Sequence, residues 1–253
     1  MNAPKRFIFR NVVPALGKLR VGKNRYCNVI YYHDIVPGQG ESFMRTNIDI
    51  FRSHMEYIAA NGFETLRFDD LEKPENLAFG KKKVIIAFDD GWRSNYSLIF
   101  DFMKSLGLKY SIFLTMGKIG TDEDYLTWDM VREMHESGLV GFGAHTFTHP
   151  KMADLSAVDY DLEIVKADQL FEKELGFKPL DFCYPFGSYS SEANKTLEKD
   201  GRYHRIYTSS NMYSYEENGV VIMGRNGINQ DWPFRVFKNQ LLGYYNIFHS
   251  LTH

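Results

Sequence analysis

Cysteine is scarce in this 253-residue chain: Cys27 and Cys183 stand alone and far apart. With no CxxC pair, a zinc ribbon or dithiol redox motif is excluded, and two reduced, semi-buried thiols are expected. Long hydrophobic runs are also missing. No stretch approaches the roughly 18 apolar residues that span a bilayer. Near the N-terminus, Phe7–Phe9 and Val12–Val13 are interrupted by Arg10, Asn11 and Pro14 before the core of a secretory signal can form. These absences lead to the expectation of a cytoplasmic protein. Net charge is small, −2, so no strongly basic surface is implied and nucleic acid is not expected as a partner. There is no internal repeat and no low-complexity tract.

The charge that is present is unevenly spread. Residues 1–25 hold Lys5, Arg6, Arg10, Lys18, Arg20, Lys23 and Arg25 with no acid, which leaves 23 basic against 32 acidic residues, net −9, for the rest. Ile8, Phe9, Val12, Leu16 and Leu19 recur at helical spacing in this arm, residues 1–26. A basic amphipathic segment suits peripheral contact with an anionic membrane, at the inner face for a cytoplasmic protein. The alternative is an arm that packs an apolar stripe on its own domain. Pro14 is expected to kink a single helix here.

From Asn28 onward, short β-rich runs alternate with helical runs. Strands are expected at 28–33, 63–66, 83–88, 110–115, 139–144, 180–185, 204–209 and 220–228. Helices fall between them: one on the Phe51, Met55, Ile58 face, one over 98–106, one from Thr127 to Ser137, one over 156–175, one over 191–199 and a last from Pro233 to Leu242. About seven strand–helix units with no linker between them predict a parallel sheet closed as an α/β barrel, one domain over residues 27–253. Glu72–Lys83 reads as a polar connection.

The chemistry-bearing residues fall at strand ends. Asp89 and Asp90 follow the apolar run VIIAF, His145 and His149 follow LVGFGA, Tyr184–Gly187 follow LDFC, and His33 ends the first strand. Catalytic residues of βα barrels gather at those ends. Two histidines four apart, with a carboxylate from a neighbouring strand, make a two-His-one-carboxylate site that leaves open positions for water and substrate. One aspartate would then serve the cation and the other remain a free base. Either motif alone is ambiguous, since solvated histidines and acidic turns are common. The combination favours a metal site.

AFDDG, HTFTH and YPFGSYS resemble the first three motifs of the polysaccharide deacetylases, the NodB-homology domain of carbohydrate esterase family 4. The resemblance spans about Cys27 to Gly243. It implies a distorted (β/α)7 barrel, a divalent metal (Zn2+, with Co2+ or Ni2+ as substitutes) on Asp90, His145 and His149, and Asp89 as catalytic base. It also implies Thr146 as brace of the histidine loop, and an oxyanion and substrate wall at Tyr184, Pro185 and Phe186, with the Phe186 N–H as donor. The implied function is metal-dependent hydrolysis of the acetamide of an N-acetylated glycan, polymeric or lipid- or nucleotide-linked. The rivals are an O-deacetylase, another amidohydrolase, or a non-catalytic carbohydrate-binding protein.

Two departures stand out. Cys183 occupies the place of an arginine that the family uses to hold the catalytic aspartate, and Arg225, late in the chain, is the candidate replacement. Asp231-Trp232 resembles the fourth motif only loosely and reads equally as a helix start. The fifth motif, LxH, has a match in Leu251–His253 at the terminus. His33 resembles instead the N-terminal histidine of the poly-β-1,6-N-acetylglucosamine deacetylase branch, which implies a general acid; its alternative is a hydrogen-bonded core histidine. Trp92, Tyr184, Phe186, Tyr189 and Trp232 lie in or beside the motifs, where aromatic faces suit sugar rings. His54, His135, His204 and His249 have no motif around them and are expected to be structural or solvated.

Overall fold

The computed structural model describes residues 5, 7–154, 157–188 and 191–246. Leu251–His253, His249 and Tyr189 lie outside the described residues.

Val84–Phe88 is buried along its whole length, so it needs apolar cover on both faces, as parallel strands do. Seven strands supply a parallel ring: β1 (Asn28–Tyr32), β2 (Lys83–Phe88), β3 (Tyr110–Leu114), β4 (Val140–Ala144), β5 (Asp181–Cys183), β6 (Arg205–Tyr207) and β7 (Val220–Met223). Each pairs in parallel with the next in that order. The ring closes through a change of partner. β7 pairs with β6, and two residues later Asn226–Gly227 pairs with β1. The expected single strand 220–228 is therefore broken at Gly224–Arg225. A Cβ at Gly224 would sit 2.2 Å from the Met212 carbonyl oxygen, so only glycine admits this close passage.

Period-two alternation sorts the side chains into two layers. Val29, Tyr31, Ile85, Ala87, Phe113, Cys183, Tyr207, Val221 and Met223 point inward and fill the barrel. Ile30, Tyr32, Val84, Ile86, Phe88, Ile112 and Leu114 point outward against Phe51, Met55, Ile58, Met103, Val131 and Met134 of the surrounding helices. The lower end of the barrel is plugged by charge. Arg205 grips Asp181 at 2.6 and 2.8 Å and Glu72 at 2.7 Å, and the Tyr207 hydroxyl donates to Asp181. Burial alone would lower the Arg205 pKa, but these carboxylates hold it above the usual guanidinium value.

Two helices begin at residues whose side chains cap them. Asn47 caps Ile48–Ala60 through Asp49 and Ile50 N–H, and Thr127 caps Trp128–Glu136. The expected helix over 98–106 is shorter, Phe100–Ser105, and a separate turn, Ser94–Ser97, precedes it. The long helix contains a π-helical stretch, Asp161–Lys166. The polar Glu72–Lys83 connection holds a short helix, Pro74–Leu77.

The arm is helical. A π turn, Ile8–Val12, runs into Val13–Arg20 with Pro14 in its first turn. Pro14 lies where the π turn gives way to the α-helix, so the expected effect of the proline appears as a change of helix type within one helical run. Phe9 and Val13 pack on Trp232, Val236 and Tyr245.

Candidate active site

Four strand ends converge above the barrel. Asp89 and Asp90 follow β2, His145–His149 follow β4, Phe186 follows β5, and Arg225 sits at the partner switch after β7. The backbone there is locally strained. Asp90, Thr146, His149 and Phe186 all have positive φ (75°, 66°, 69° and 57°), a conformation that costs non-glycine residues on the order of 1–3 kcal/mol each.

Asp90 Oδ1 lies 3.5 Å from His145 Nε2 and 3.2 Å from His149 Nε2. His145 Nδ1 is 2.7 Å from the Cys183 carbonyl oxygen. A carbonyl only accepts, so Nδ1 carries the proton and Nε2 of the neutral ring turns its lone pair toward Asp90. Asp90 Oδ1 is buried with no hydrogen-bond donor, while Oδ2 accepts from Trp92 Nε1 at 3.0 Å. The His145 lone pair, His149 Nε2 and an Asp90 oxygen without a donor thus converge, with ligand atoms within 4.8 Å of each other. That arrangement fits a divalent cation between them.

A second group, Asp89, His145 and Cys183, also lies within 4.8 Å, and it does not fit a metal. Burial pushes the Cys183 thiol far up, and the Asp89 charge is already matched by a guanidinium. Arg225 Nη1 and Nη2 donate to Asp89 Oδ1 and Oδ2 at 2.7 and 2.9 Å, and Arg225 Nε donates to the Thr208 carbonyl at 2.8 Å. The guanidinium is fully buried and stacks over Tyr31 at 4.1 Å. Burial favours a neutral Asp89, yet the Arg225 pair outweighs it and lowers its pKa. Arg225, the candidate named from its position, thus reaches Asp89 from the segment between Met223 and Asn226.

His33 Nε2 is 3.9 Å from Asp89 Oδ2, and Nδ1 is 3.0 Å from the Phe43 carbonyl oxygen. By the same argument Nδ1 carries a proton, and Nε2 faces the site. Thr146 Oγ1 accepts from His149 N–H at 3.0 Å. Tyr184, Pro185 and Phe186 divide. The Tyr184 ring is buried against Phe182, and its N–H donates to Tyr207 O. Proline has no N–H to give. Phe186 alone presents its side chain, 65% exposed and 4.6 Å from the His149 ring, so of the three only its N–H is left to meet an oxyanion. Asp231 and Trp232 stand apart from the acid–metal cluster, on the wall of a cleft of about 720 Å3 that Tyr31, Phe43, Asn211 and Asn229 also line.

Glu163 is the residue that sequence reasoning missed. It is buried on the π-helical stretch and accepts from Phe147 N–H (2.9 Å), Thr148 N–H (2.8 Å) and the Thr148 hydroxyl (2.6 Å). It pins the loop that carries both histidines. Its sequence signal is weak, because an acid in a helix ordinarily faces water.

The profile of the polysaccharide deacetylase family matches residues 76–204. The chain is 29% identical over 175 residues, 68% of its length, to YxkH of Bacillus subtilis, itself assigned to the polysaccharide deacetylases. It is 25% identical over 164 residues, 60% of its length, to the poly-β-1,6-N-acetyl-D-glucosamine N-deacetylase of Staphylococcus epidermidis. The matches span 61% and 57% of those relatives' own lengths, less than two thirds. In fold the chain is similar to the Streptococcus pyogenes deacetylase PplD, solved with acetate, with a TM-score of 0.76 at 19% identity, over 86% of this chain and 99% of that one. With a family profile that covers half of its residues and a barrel of the same architecture, the chain belongs to the polysaccharide deacetylase family.

Proposed function

We propose that the protein is a metal-dependent N-deacetylase that hydrolyses the acetamide of an N-acetylated glycan. The observation that carries this reading is the side-by-side pair of carboxylates with opposite surroundings. Asp90 faces the Nε2 atoms of two imidazoles, and Asp89 is held ionised by Arg225. A divalent cation held by Asp90, His145 and His149, Zn2+ being the natural choice for this donor set, would supply a Lewis acid and bring bound water toward a pKa of about 7.

The chain's own residues do the rest. Asp89 accepts a proton as water adds to the amide carbon; each carboxylate oxygen keeps a lone pair beyond the one Arg225 occupies. Arg225 fixes the direction of that lone pair and keeps Asp89 deprotonated. The Phe186 N–H donates to the carbonyl oxygen as it gains charge. His33, protonated at Nε2, gives that proton to the leaving amine as the C–N bond breaks. Acid–base catalysis by positioned groups contributes roughly 10²–10⁴-fold. Acetate and the free amine leave. A pure binding site has no use for an ionised, arginine-tethered aspartate, which sets the non-catalytic rival aside.

The test is acetate release from a panel of N-acetylglucosamine oligosaccharides, with O-acetylated sugars as comparison, before and after chelation. Release from the N-acetyl panel that chelator abolishes and Zn2+ restores is expected. Release from O-acetyl sugars alone would replace the amide reading with an esterase.

A further inference from the structure

We propose that the N-terminal arm is a docking surface for an anionic lipid bilayer. The arm carries two apolar faces. Phe9, Val13 and Gly17, spaced four apart, face the domain; Gly17 passes so close to Tyr244 that a Cβ would overlap its carbonyl oxygen. The second face has no cover. Ile8, Val12, Leu16 and Leu19 follow helical spacing and are 50%, 41%, 47% and 85% exposed, with Phe7 at 64% beside them. A monomer's folding gives no reason to place these residues in water, and contiguous exposed apolar surface marks an interaction site.

Charge chooses the occupant. Lys18, Arg20 and Lys23 are exposed on the same helical segment, and among the described residues none of them makes an ion pair. The acidic remainder of the chain, net −9, has thus not been used to neutralise them. An apolar helix face flanked by cations matches the boundary of an anionic bilayer, where headgroups meet the cations and acyl chains the leucines. The acidic barrel is repelled by the same surface, which fixes the orientation. Phe9 and Arg10 also line the 720 Å3 cleft beside Trp232, so the arm that docks is also part of the cleft wall.

The experiment is co-sedimentation of the full chain with phosphatidylglycerol-containing vesicles, with pure phosphatidylcholine vesicles as control, at low and high salt. Two variants accompany it: Leu16→Ser with Leu19→Ser, and Lys18→Gln with Arg20→Gln and Lys23→Gln. Binding to anionic vesicles should fall about tenfold or more in each variant and weaken with salt. Circular dichroism melts should stay within about 2 °C of the parent, because these side chains lie at the exposed surface of the arm. Absence of sedimentation with anionic vesicles, or equal binding by parent and variants, would overturn the proposal. So would a dimer in light scattering that Leu16→Ser with Leu19→Ser dissolves, which assigns the face to a second copy.

Discussion

Replacing Arg225 by methionine tests the electrostatic core of the site. The parent pair is bidentate and buried at both ends. Removing one partner of a buried ion pair costs roughly 3–5 kcal/mol, because the other charge is left without compensation. For a domain of this size each kcal/mol moves Tm by about 2–4 °C, so the melt should fall by roughly 6–20 °C. The pH dependence identifies the cause. In the parent, the Asp89 pKa is lowered; its contribution is present above the unfolded carboxylate pKa and disappears as pH falls through the folded value. In Arg225→Met the largest opposing influence is gone, burial prevails over the smaller effect of His145 and His33, and the pKa rises. The stability gap between the two proteins is then widest at neutral pH and narrows on acidification, as Asp89 takes up a proton. The acid limb of kcat/KM moves to higher pH for the same reason. Thermal melts at several pH values, with pH–rate profiles, measure both. A loss of less than about 2 °C that does not vary with pH would refute the reasoning.

Other predictions follow from the same geometry. Arg225→Met combined with Cys183→Arg should recover part of the lost activity, since the Cys183 sulfur lies within 4.8 Å of an Asp89 oxygen; no gain over the single variant counts against equivalence of the two arginine positions. Glu163→Gln should weaken metal binding about 10–100-fold in a competition titration, by releasing the histidine loop, while leaving Asp90 untouched. His33→Gln should lower kcat by about 10²-fold or more with metal content unchanged by elemental analysis. His54, buried and stacked on Phe237, has its pKa pushed down to about 3 by burial. Its folded pKa lies below the unfolded one, so its stability contribution is complete above about pH 6.5 and is lost on acidification toward 3, at about 1.4 kcal/mol per pH unit. His54→Phe should flatten that part of a denaturant-derived stability profile.

Much of this was legible because period and position carry it. β2 matches its expected span, and the other barrel strands lie within theirs, because apolar runs bounded by glycine and polar turns leave little choice. The DD, HTFTH and YPFG clusters meet because parallel strands deliver their ends to one rim. What escaped depends on packing between distant segments. Arg225 could be named only from its position, since nothing in GRNG shows that the strand changes partner there. The role of Tyr184 turns on whether the sheet consumes its N–H, and that is decided by Tyr207. Glu163 required the π-helical stretch and the histidine loop to be seen together. The arm's two apolar faces could not be separated until Gly17 was placed against Tyr244.

The most direct test of the account is acetate release by the parent and by Asp89→Asn at matched metal content. The account predicts full metal occupancy in both proteins, because Asp90, His145 and His149 hold the ion, with release lost by about 10²-fold or more in Asp89→Asn. Undiminished release in the variant, or loss of the metal along with Asp89, would contradict the division of labour between the two aspartates.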